Sequence, residues 1–176
     1  MPAIPFQTKT PEIGKGCFIA PDAWVIGDVV FGPQVSAFFG VVARGDIKAI
    51  RVGAGTNLQE HALLHTSTGL SDCIVGANVT VGHRAILHGC TVEDSCIIGM
   101  GATVLDGAVV GKYSIVGAQS LVPMGMKIPE RSLVLGVPAK VVRTISENEV
   151  KNINESAEHY RTLGAEYQAQ FSRVPR

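Results

Sequence analysis

Apolar residues return along this chain at every sixth position. Ile19, Val25, Phe31, Ala37 and Ala43 form one run, Val52, Leu58 and Leu64 a second, and Val75 and Val81 a third. The beat slips by one at Ile86-Leu87, then continues through Val92, Ile98, Val104, Val110, Val116 and Val122. A helix would place apolar residues three and four apart, and a half-buried strand every second residue. Six residues with one inward aliphatic read instead as a short strand plus a corner, and three such sides close a triangular coil. Glycine follows the beat residue at 53, 76, 82, 99, 111 and 117, where it is expected to supply the corner conformation. Coils stack at the strand spacing of about 4.8 Å. The pattern therefore predicts an all-β solenoid whose coils each touch only their neighbours.

The flanks break the pattern. Residues 1–12 carry Pro2, Pro5 and Pro11 and are expected to form an extended lead-in to a coil spanning 13–143. Pro123, Pro129 and Gly136-Val137-Pro138 are expected to end the winding after Val122. Ser146-Glu147-Asn148-Glu149 has the form of a helix capping box. Val150, Ile153, Ala157, Tyr160, Leu163, Tyr167 and Phe171 follow at helical spacing, so 144–176 is predicted as a C-terminal α-helix with one apolar stripe. That stripe needs cover, on the prism of its own subunit or of a neighbour. Two interruptions fall within the coil, between Ala43 and Val52 and between Leu64 and Val75. The second contains Thr66-Ser67-Thr68-Gly69-Leu70-Ser71-Asp72, directly after His65, and loops on a rigid scaffold are common places for function.

Lys plus Arg and Asp plus Glu balance at 15 each, which argues against holding nucleic acid or a membrane by charge. Cys17, Cys73, Cys90 and Cys96 form no C-x-x-C pair, and Met1-Pro2-Ala3-Ile4-Pro5-Phe6 shows no secretory pattern. A cytoplasmic protein with reduced thiols packed in a narrow core is the expectation.

Four of the five histidines lie between positions 61 and 88. In a coil of about 18 residues, His65 and His83 would stack on one face, with His88 just past the next corner. Three neutral imidazoles plus a water make an open, catalytic metal site. His61 beside Glu60 reads as a polar edge residue, and His159 as a solvent-facing position on the helix.

With repeat and histidines together, the chain resembles the γ-class carbonic anhydrase-like family of hexapeptide-repeat proteins. The matching motifs are Arg44-Gly45-Asp46, Asn57-Leu58-Gln59-Glu60, Leu64-His65, Val81-Gly82-His83 and Leu87-His88-Gly89-Cys90, with Ile98-Gly99-Met100-Gly101-Ala102 and Gly136-Val137-Pro138-Ala139-Lys140 beyond them. The resemblance implies a left-handed parallel β-helix and a homotrimer with the metal between subunits. It implies His65 and His88 from one subunit and His83 from its neighbour as ligands, with zinc as the default ion and ferrous iron or cobalt as alternatives. It further implies that Gln59 and Asn57 position water and substrate, and that Arg44, Asp46 and Glu60 form an ion-paired interface network. The implied reaction is reversible hydration of CO2 to bicarbonate by hydroxide generated at the metal.

The chain departs from the family's best catalysts where the proton must leave. Ile47 follows Asp46, the loop after His65 has only Asp72 as an acid, and Arg131-Ser132-Leu133-Val134-Leu135 lacks a tyrosine. Low activity is the corresponding expectation. Two other readings stay open. One is a hexapeptide acyltransferase or CoA-thioester hydrolase using one histidine as general base. The other is a non-catalytic trimeric scaffold that retains a metal. Gln59 and Asn57 could equally form an asparagine-type ladder at the coil corners, and Arg44 with Asp46 a structural ion pair.

Overall fold

In the computed structural model, which describes residues 3–171, the chain winds about seven times as a parallel β-solenoid. The six-residue beat is its inner wall. From Val25 to Val122 the beat residues are all buried, with Leu87 taking the place at the slip. The residue two places earlier also points inward and is small, as at Ala62, Cys73, Ala85, Cys90, Cys96, Ala102 and Ala108. Three cysteines thus serve as small apolar wall residues. Burial pushes the Cys96 thiol up to about 12, which keeps it protonated and unreactive.

The corners are built differently from the sequence expectation. The left-handed backbone conformation falls three residues before most beat residues, as at Asn78, Ser95, Gly101 and Gln119. The glycines that follow the beat are absent from that set. They answer a need for close approach: a Cβ on Gly99 would stand 2.5 Å from the backbone nitrogen of Ala118 in the next coil. Winding also continues past Val122. Lys127–Ile128 pairs in parallel with Val109–Val110, and Ser132–Gly136 with Ile115–Val116, before an antiparallel hairpin to Ala139–Thr144. Elsewhere the amide after the beat residue donates to the following coil, as Gly99 does to Val116. Pro123 and Pro129 lack that amide and stand at the end of the stack, so they finish the ladder rather than the winding.

The lead-in joins the first coils, with Ala3–Ile4 and Glu12–Ile13 both pairing in parallel with Trp24–Phe31. The C-terminal helix, Glu147–Phe171, opens on the capping box: Ser146 N donates to Glu149 Oε2 at 2.8 Å, and Glu149 N to Ser146 Oγ at 3.3 Å. It packs on its own chain, over Phe18–Ile19, Ser36–Ala37, Asn57–Leu58 and Thr80–Val81. Ile153, Ala157 and Gly164 are its buried residues. A Cβ on Gly164 would overlap Ser36 Oγ, so the glycine lets helix and prism meet. Phe18, Phe38, Phe39, Tyr167 and Phe171 cluster at the far end of the helix. Among the described residues no helix is long and apolar enough to cross a membrane. The parts of the expected lead-in and helix at 1–2 and 172–176 lie outside the described residues.

Candidate functional site

Both interruptions of the repeat meet at one corner. Strand Val42–Val52 turns that corner, pairing first with Leu63–His65 and then with Cys73–Val75. The Thr66–Asp72 loop is tied to it: Lys48 N donates to Thr66 Oγ1 at 3.1 Å and Ala49 N to Asp72 Oδ1 at 3.2 Å. These extra residues change the register. His65 stacks on His88, 23 residues on, and not on His83 as a uniform 18-residue coil would have it.

The two rings meet edge-on, with planes 65° apart, and His65 Nδ1 lies 3.2 Å from His88 Nε2. Each far nitrogen is held by a carboxylate. His65 Nε2 lies 3.1 Å from Asp46 Oδ1, and His88 Nδ1 lies 2.8 Å from Asp106 Oδ2. Arg44 pairs with the other oxygen of Asp46. Burial works to raise the Asp46 pKa, but hydrogen bonds from Arg44 and His65 and the Arg44 charge bring it below the usual carboxylate range. Burial lowers the His65 pKa, helped by the Arg44 and His88 charges and opposed by Asp46. A neutral imidazole with its lone pair uncommitted is the form that binds metals.

His83 sits apart, on another corner. Its Nδ1 lies 2.6 Å from Glu60 Oε2, and its side chain is 46% exposed. The expected network of Arg44, Asp46 and Glu60 is therefore split within one chain, with Glu60 serving His83 instead. Beside this pair, under the helix, is a cavity of about 190 Å³ lined by Phe38, Glu60, His83, Tyr160, Leu163 and Tyr167. Asn57 and Gln59 are buried on the segment that leads into Glu60. Gln59 Nε2 donates to Asn57 Oδ1 at 3.4 Å within one coil, and Asn57 Nδ2 donates to Thr80 Oγ1 in the next coil at 2.9 Å. The second bond joins neighbouring coils, and neither amide bonds to a histidine. Among the described residues of a single chain, no three His, Cys, Asp or Glu side chains converge as a metal cage.

Asp106 is absent from the residues that the sequence reading singled out. A signal for it existed: it follows His88 by 18 residues, one regular coil, and lies beyond both interruptions.

Comparison with known proteins adds a second line of support. A family model described as bacterial transferase hexapeptide (six repeats) matches residues 89–123. The carbonic anhydrase of Geobacillus kaustophilus is 41% identical over 165 residues, covering 94% of this chain and 90% of that protein. Gamma carbonic anhydrase 2, mitochondrial, of Arabidopsis thaliana is 44% identical over 160 residues, covering 88% of this chain. The chain spans only 58% of that plant relative's length. Among solved structures, a Bacillus cereus protein provisionally described as an acetyltransferase superposes with a TM-score of 0.93 at 37% identity, covering 96% of this chain and 97% of that one.

Proposed function

The chain belongs to the γ-class carbonic anhydrase-like family of hexapeptide-repeat proteins, and on that footing we propose that it catalyses the reversible hydration of CO2 to bicarbonate as a metal-dependent homotrimer. The observation that carries this reading is the facing pair. Two nitrogens at 2.0–2.1 Å from one tetrahedral zinc stand about 3.3 Å apart, and His65 and His88 hold theirs 3.2 Å apart. The donor set fits zinc, and equally ferrous iron or cobalt. A divalent cation bound there supplies Lewis acidity and makes water nucleophilic near neutral pH.

The chain's own residues do the holding and the orienting. Asp46 and Asp106 fix the rings of His65 and His88 through their far nitrogens. His83 of a second copy supplies the third donor: Glu60 holds its Nδ1 and leaves its Nε2 for that task. Gln59, next to Glu60, would travel with His83 to the shared site and, with Asn57, orient water and CO2. An outward apolar column beside the pair supports such an assembly. Leu63 and Ile86, 36% and 37% exposed, open the two histidine strands, and Trp24, 46% exposed, lies in register with them one strand further on, beyond Val42; exposed apolar patches mark interaction surfaces. Ile47, 44% exposed beside Asp46, carries no titratable group where the resemblance implies a proton-carrying acid, which supports a low rate. The free thiols suit a reducing compartment such as the cytoplasm.

A second reading, hydrolysis or transfer of a CoA thioester with His83 as general base, draws on the cavity of about 190 Å³ beside His83 and on the Bacillus cereus neighbour. One experiment separates the two. Stopped-flow CO2 hydration and thioester turnover are measured on protein stripped of metal and reloaded with Zn2+, Co2+ or Fe2+ without oxygen. CO2 hydration that appears only on reloading supports the proposal. Thioester turnover indifferent to chelator, with no CO2 hydration under any metal, replaces it.

A further inference from the structure

We infer that Asp106 is a positioning residue for His88, admitted to its place by the bare backbone of Gly89, and that it keeps His88 Nε2 free to face a cation. The inference rests on the metal-site reading above and concerns how the chain prepares the site before metal arrives.

Because an ionised carboxylate only accepts, the geometry assigns opposite tautomers to the two histidines. His65 commits Nε2 to Asp46 and presents Nδ1, whereas His88 commits Nδ1 to Asp106 and presents Nε2. With both outer nitrogens protonated, two lone pairs face each other across 3.2 Å. Without Asp106, His88 could move its proton to Nε2 and donate it to His65 Nδ1. That bond would satisfy the pair internally and close it to a cation. A carboxylate is a stronger acceptor than an imidazole, so Asp106 tips the choice toward the open pair.

Two further features show that the carboxylate is held there at some expense. Asp106 is 8% exposed, and its Oδ1 is buried without a hydrogen-bond partner among the described residues. A buried oxygen left unsatisfied destabilises the fold. Gly89 has φ +52°, and a Cβ on it would overlap Oδ1 of Asp106. Any larger residue at 89 would push the carboxylate away from His88.

Imidazole nitrogen NMR on the metal-free protein tests this, with Zn2+ affinity measured by chelator competition. His88 of the unmodified protein is expected to carry its proton on Nδ1. Asp106→Asn is expected to move that proton toward Nε2 and to weaken Zn2+ by about 10–100-fold, and Gly89→Ala to act in the same direction. A His88 protonated on Nε2 in the unmodified protein overturns the inference. So does an Asp106→Asn protein with unchanged tautomer and affinity. Should Asp106→Asn fail to fold, the unmodified protein and Gly89→Ala still decide. If the unmodified protein binds no metal, the functional reading fails while the tautomer measurement still judges this one.

Discussion

Two of the clustered histidines stand as a pair and a third stands alone, and their surroundings differ in kind. The paired side chains of His65 and His88 are 14% and 24% exposed, and each is braced by a carboxylate that is itself mostly buried. His83 is 46% exposed, and its partner Glu60 is 38% exposed, at the mouth of an aromatic-walled cavity. The first region is enclosed and braced, whereas the second offers one donor to solvent. On the proposed reading, the same repeat supplies two donors on one surface of the chain and a third on another. An open three-nitrogen site would then need a second copy, and function would be a property of the assembly.

Substitutions should separate the two regions. The largest effect is expected from His65→Ala or His88→Ala, each of which removes half of the facing pair. Zn2+ affinity should fall well beyond the roughly 10–100-fold typical of losing an outer partner, as read by chelator competition. Asp46→Asn should fall within that range, because the ring remains but its orientation loosens. Glu60→Gln should cost less than about tenfold, since solvent screens that exposed pair; a loss as large as that of Asp46→Asn would erase the contrast between the two regions.

Acid should also act on the paired region. The folded pKa of His65 is lowered, so the unfolded chain takes up its proton first. Stability of the metal-free protein is then intact above the unfolded value of about 6.5 and declines as pH falls from there toward the lowered folded value. Chemical denaturation from pH 8 to 5 should show that slope, and His65→Gln should flatten it. The smallest effect concerns the helix that walls the lone histidine. Ser146→Ala removes the N-cap and should cost about 1 kcal/mol without changing Zn2+ affinity.

Much of the scaffold was legible because a narrow coil tolerates few alternatives. An inward residue every sixth position, as at Val92, Ile98 and Val104, is a demand that no helix or flat sheet makes. What misled was the assignment of causes. The glycines after the beat, such as Gly99, looked like turn residues, but they serve close approach between coils. The true left-handed corners accept Ser95 and Gln119, residues that announce nothing. The site was legible in its residue types and less so in its geometry. A spacing of 18 suggested that His65 lies over His83, yet the Thr66–Asp72 loop lengthens that coil and brings His88 there instead. Glu60 was grouped with Arg44 and Asp46 by sequence motif, whereas within the chain it belongs to His83. Asp106 escaped notice because an aspartate before glycine at a coil corner resembles any turn.

The most direct test mixes two inactive proteins. His65→Ala chains keep His83, and His83→Ala chains keep the His65–His88 pair. Unfolded together and refolded, they should rebuild about one quarter of the sites of a cyclic trimer, measured as bound Zn2+ per chain against each parent alone. Metal that returns in the mixture but in neither parent is the predicted result. A mixture as empty as its parents, or a His83→Ala protein that binds Zn2+ as tightly as the unmodified chain, would contradict the account.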